Sequence, residues 1–121
     1  MDVSKLNSKI ATLGEATLLT TTNQVTSTQE SKSFTKTGYS QLMVVLHGDS
    51  NPKTSTWFAI HTIPTNYYDI HTAESSLSWQ SNGATGHADV RYAFTNASTI
   101  RVHLDSKSNN VTPYVSVYGV K

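Results

Sequence analysis

Beyond residue 15 the chain keeps a single hydrophobic period, and that period is two. From Ala16 onward β-branched and aromatic side chains alternate with polar ones, and clusters of Gly, Asn, Pro and Ser interrupt the alternation. Successive side chains of an extended strand point to opposite faces, so the pattern fits half-buried strands. It does not fit an amphipathic helix, whose apolar residues recur every three or four positions. The alternation predicts nine strands, over residues 16–22, 33–37, 40–47, 56–63, 67–72, 77–80, 88–95, 99–105 and 113–120. Short strands in that number, with no helix between them, point to an all-β fold: an antiparallel β-sandwich, jelly-roll-like, over residues 15–121.

Two stretches break the alternation by being apolar on both faces. Leu42-Met43-Val44-Val45-Leu46 suits a central strand covered by the opposing sheet on one side and by a loop or neighbouring subunit on the other. Tyr114 to Val120 reads the same way, as a strand inside a sheet. Residues 88–95 and 99–105 form the clearest hairpin, with Val90, Tyr92 and Phe94 on one face and Ile100, Val102 and Leu104 on the facing one. A three-residue loop would set Phe94 against Val102 and pair Arg91 with Asp105 and Asp89 with Lys107. A loop two residues longer keeps the same faces inward but opposes Asp89 and Asp105. Like charges directly across a ladder cost energy, so the shorter loop is expected.

Residues 1–13 follow another period. Val3, Leu6, Ile10 and Leu13 are spaced three, four and three apart, and Gly14 follows as a stop. This predicts a short helical stub over residues 1–14. A helix of that length is marginal alone in water, and a stripe so narrow pairs with copies of itself better than with a broad sheet face. A coiled-coil seam is therefore expected, the alternative being an amphipathic helix packed on its own domain.

At 121 residues the chain has the size of one ordinary domain. Charged residues are only 14%, while Ser and Thr together exceed a quarter, the composition of a neutral-polar, strand-rich surface. The net charge is +1 and the basic residues form no run or stripe, which argues against nucleic acid and anionic membranes as partners. Nowhere is there an apolar stretch long enough to cross a bilayer, and the N-terminus has no apolar core of an export signal, so a soluble chain is expected. Without cysteine, stability must come from packing and assembly.

Five histidines, His47, His61, His71, His87 and His103, raise the question of metal, but none falls in an i, i+2 or i, i+4 pair. Surface or hydrogen-bonded imidazoles are expected, and no cofactor or metal. No nucleophile elbow, phosphate-binding glycine loop or zinc-protease motif is present, and no close carboxylate pair points to glycosidase chemistry, so no enzyme is expected. The aromatic residues are better placed for function. Sugars offer flat C–H faces that stack on Trp and Tyr, while short polar side chains bind their hydroxyls. Tyr67, Tyr68 and Asp69 after the turn at residues 64–66, and Trp79, Gln80 and Asn82 leading into a loop, are the candidate ligand-binding residues. Trp57, Phe58, Tyr92 and Phe94 are assigned to packing by their place in strands.

The stub Leu6-Asn7-Ser8-Lys9-Ile10, the strand from Tyr39 to Leu46 and the closing Tyr114-Val115-Ser116-Val117-Tyr118-Gly119-Val120-Lys121 together resemble the C-terminal head of a bacteriophage tail fibre or receptor-binding protein. The resemblance covers most of the chain as a pattern and shares no binding signature. It implies a homotrimer, since short fibre-like helices lead into compact trimeric β heads in such proteins. It also implies a virion location and a bacterial cell-surface polysaccharide as partner. The alternatives are a trimerising or capping module of a fibre or particle with no ligand of its own, and a carbohydrate-binding module normally attached to an enzyme.

Overall fold

The computed structural model describes residues 16–50, 56–65, 74–81, 86–96 and 98–121. Strands are the only regular elements among them: β1 (Ala16–Thr21), β2 (Glu30–Ser33), β3 (Gln41–Ser50), β4 (Thr56–Pro64), β5 (Glu74–Gln80), β6 (His87–Asn96), β7 (Thr99–Lys107) and β8 (Val111–Val120). They form two four-stranded antiparallel sheets, A with order β1-β8-β3-β4 and B with order β2-β7-β6-β5. The expected all-β sandwich is observed. The jelly-roll expectation is met only on one side, where β1 pairs with β8 and β2 with β7; on the other the β3-β4 hairpin and the β5-β6-β7 meander keep successive strands within one sheet. The expected helical stub and the strand at 67–72 lie outside the described residues.

The core lies between the sheets, where period two has placed the larger apolar side chains. Leu42, Val44 and Leu46 of β3 and Val115 and Val117 of β8 meet Val90, Tyr92 and Phe94 of β6 and Ile100 and Val102 of β7. β8, the last strand, pairs on both edges, with β1 and β3, as expected of a strand inside a sheet. Past β1 the chain crosses from sheet A to sheet B and is tied to both. Thr22 and Val25 donate to Val115 and Pro113 of β8, and the Thr26 carbonyl accepts from Leu104 of β7. Val25 is buried under that strap. At the other end Tyr39 lies on Gly119: a Cβ built there would stand 2.5–2.7 Å from its ring, so the glycine makes room for the aromatic cover.

The β6-β7 register departs from the expected one. Phe94 faces Ile100 and Tyr92 faces Val102, the arrangement rejected because it would oppose Asp89 and Asp105. The inward faces are as expected, since the two registers differ by two residues and keep every side chain on its side. The like-charge conflict is removed by a bulge at Asp89/Val90, beyond which Asp89 faces Ser106. Ser106 Oγ donates to Asp89 Oδ2 at 2.7 Å, and Asp105 turns to Arg91 instead. A bulge inserts one unpaired residue into a strand, and here that residue carries the offending charge away.

The two sheets differ sharply in charge. The four strands of sheet A contain one charged residue, Asp49, whereas those of sheet B contain Glu30, Lys32, Glu74, Asp89, Arg91, Arg101, Asp105 and Lys107. The strands of sheet A are thus poor in charge, those of sheet B rich in it.

Candidate functional site: the two outer faces

Alternation sends Met43, Val45 and His47 of β3 outward on sheet A, beside Phe58 and Ile60 of β4 and Tyr114, Ser116 and Tyr118 of β8. Leu18 of β1 pairs with Tyr118 at the far edge. Leu18, Phe58 and Ile60 are 54%, 67% and 45% exposed, the large hydrophobic side chains most open to solvent among the described residues. Phe58 was expected to pack; as the neighbour of inward Trp57 it must point out, and on an edge strand nothing described covers it. A polar row crosses this face. Thr21 Oγ1 lies 3.0 Å from Ser116 Oγ, which lies 2.7 Å from His47 Nε2, and the His47 ring stacks on Tyr114 with centroids 5.9 Å apart. Ser116 Oγ thus has a polar neighbour on either side, so its hydroxyl stays partnered when the row is covered. Ser116 is itself buried, closed in by its neighbours.

Of the residues expected to bind sugar, Tyr67, Tyr68, Asp69 and Asn82 lie outside the described residues. Trp79 points inward at the sheet edges and stacks on Trp57 of the opposing sheet, with ring centroids 4.4 Å apart and planes 18° from parallel. Gly86 closes on its six-membered ring. Trp79 therefore helps to join the sheets, and the adjacent Gln80 is exposed. The indole N–H of Trp57 is buried with no hydrogen-bond partner among the described residues.

The described histidines each find local partners. His61 Nδ1 meets the buried Tyr92 hydroxyl at 2.6 Å, and His87 Nδ1 meets Ser108 Oγ at 3.0 Å. His103 Nε2 lies 3.1 Å from Asp105 Oδ1. His71 lies outside the described residues, and among those described no three His, Asp or Glu side chains converge to hold a metal ion.

The outer face of sheet B carries the fixed charges. Arg91 Nε donates to both carboxylate oxygens of Asp105 at 3.0 Å, and its terminal nitrogen lies 3.0 Å from Oδ1. The hydrogen bond from Arg91 holds the Asp105 carboxyl below its usual range and raises the guanidinium further. Hydrogen bonds from Ser106 and Ser78 lower that of Asp89. Beside this network Ala93 leaves a small depression, rimmed by side chains of β5, β6 and β7. Arg91, Tyr92 and His103 are read from the sequence as an ion-pair, a packing and a surface residue and none of the rim as ligand-binding, because these residues become neighbours only through strand register.

No family model, curated protein or solved structure matches the chain.

Proposed function

We propose that the chain is a non-catalytic, homotrimeric attachment head, acting as the heads of phage tail fibres do. The outer face of sheet A packs against neighbouring copies, and sheet B faces outward on the virion to meet a bacterial cell-surface polysaccharide. The observation that carries the proposal is the charge-poor apolar face of sheet A, with Leu18, Phe58 and Ile60 open to solvent. Two copies of such a face can meet over strands whose one charged residue is Asp49, near the end of β3, whereas the ionic face of sheet B would have to desolvate several. Its area, four strands wide and about seven residues long, is roughly 400–500 Å² at standard strand spacings. That matches the largest apolar patch of a typical monomer, about 300–600 Å² and often functional, and is below the ~800 Å² per partner of a stable interface. The seam of Leu6 and Ile10 would supply the remainder. The number three comes from the resemblance, and three equivalent sites would raise a weak affinity for a repeating polymer by avidity.

Light scattering on the parent and on Phe58→Asp and Ile60→Asp tests the assembly. A trimeric parent and monomeric, folded variants are expected; a monomeric parent, or variants with unchanged mass, would remove sheet A as the interface. Sedimentation of labelled protein with bacterial cell walls tests attachment. A trimer that binds no walls from plausible hosts would instead be a cap or trimerising module.

A further inference from the structure

On the outer face of sheet B, Ala93 of β6 stands between its two cross-strand partners, Arg101 of β7 and Glu74 of β5. Its small side chain leaves a depression of about 40 Å³, whose rim also includes Arg91, His103 and Gln29. Two strand spacings separate the Arg101 and Glu74 backbones, roughly 10 Å at about 4.8 Å each. No ion pair links the two side chains. Asp105 already neutralises Arg91 and also engages His103. Arg101 is different: half-buried, it makes no side-chain hydrogen bond or ion pair with any described residue.

We propose that this depression binds the carboxylate of an acidic saccharide of the uronic-acid type. A guanidinium presents a planar fork of donors matched to a carboxylate, and Arg101 holds that fork beside a gap floored by Ala93. The gap suits the group in size. A water needs roughly 10–15 Å³ of such space, so the depression takes about three waters or one carboxylate, not a whole sugar. The ring then lies across the face toward Glu74, whose carboxylate accepts from the hydroxyls, while the Gln29 amide reaches them from the other side. Two guanidiniums, Arg91 and Arg101, and two carboxylates, Glu74 on the rim and Asp105 beside it, bring the fixed charge to zero, which favours one carboxylate with neutral hydroxyls over a polyanion. The inference rests on the attachment reading for its biological ligand and deepens it by naming a site and a sugar class.

The test uses the intact, isotope-labelled protein, with amide shifts followed by NMR during titration with methyl glucuronide, methyl glucoside and inorganic phosphate. Glucuronide is expected to move the amides around Ala93, Arg101 and Glu74, with glucoside at least tenfold weaker. Arg101→Gln, and Ala93→Leu, which fills the gap, should each weaken glucuronide binding tenfold or more in a folded protein. Three results would overturn the proposal: no shifts around Ala93, equal shifts with phosphate, or unchanged binding by folded Arg101→Gln. Cell-wall sedimentation separates the two readings. Walls bound equally by parent and Arg101→Gln would leave attachment standing and remove this site; glucuronide shifts at Ala93 without wall binding would do the reverse.

Discussion

Tyr92 shows how much one buried side chain decides. It is 3% exposed, its ring meets Phe94 edge to face, and its hydroxyl is hydrogen-bonded to His61 from the opposing sheet. Tyr92→Phe keeps the ring but removes the hydroxyl that partners the half-buried His61 imidazole, and losing one such hydrogen bond costs about 0.5–1.5 kcal/mol. Urea unfolding of the variant at neutral pH should show that loss. Alkali gives a second readout. Burial raises the Tyr92 hydroxyl above its ordinary value of 10.0, so its neutral form is favoured in the folded chain. The unfolded chain therefore ionises first, and this contribution is intact below pH 10 and lost as the pH rises above it. The phenylalanine variant should lose less of its remaining stability between pH 9 and 11; a parallel decline would mean the phenol titrates freely.

At the scale of elements, the β6-β7 bulge is the feature with a measurable consequence. Asp89 and Asp105 would oppose each other in the unbulged ladder; with the bulge, Ser106 and Ser78 stabilise one and Arg91 the other. Both carboxyls are held below the ordinary value of 3.8 in the folded protein. A depressed native pKa contributes stability that is present above the unfolded value and lost as the pH falls through the native one. Thermal melts from pH 6 to pH 2 should therefore decline below about pH 4, and the double variant Asp89→Asn, Asp105→Asn should decline less steeply. Both groups are largely solvated, so the effect should also shrink in high salt. Identical acid limbs in parent and variant would show that the bulge is held by backbone pairing alone.

For the whole molecule, the partition of charge between the sheets sets how it can associate. Contact through sheet A buries mainly apolar and uncharged polar groups, so self-association should persist in 1 M salt, where exposed ion pairs are screened. Contact through sheet B would depend on ions and fade. Sedimentation velocity at 0.05 M and 1 M NaCl separates the two, and dissociation at the higher concentration would place the interface on the ionic face.

The sequence by itself determined which way side chains point. Period two is a local property, so Val90, Tyr92, Phe94, Ile100 and Val102 could be assigned inward, and the strand class followed. The charge asymmetry was equally present in the sequence, in stretches such as Gln41 to His47 and Phe58 to Pro64 that contain no charged residue. What alternation cannot do is choose between registers two residues apart, which share their faces. Only the tertiary structure placed Phe94 opposite Ile100 and relieved Asp89 with a bulge. It alone stacked Trp79 on Trp57 across the sheets and left Phe58 at an uncovered edge. It also set Arg101 and Glu74 on either side of Ala93. Each of these outcomes depends on which strands become neighbours, and strand pairing is fixed by contacts between residues far apart in the chain.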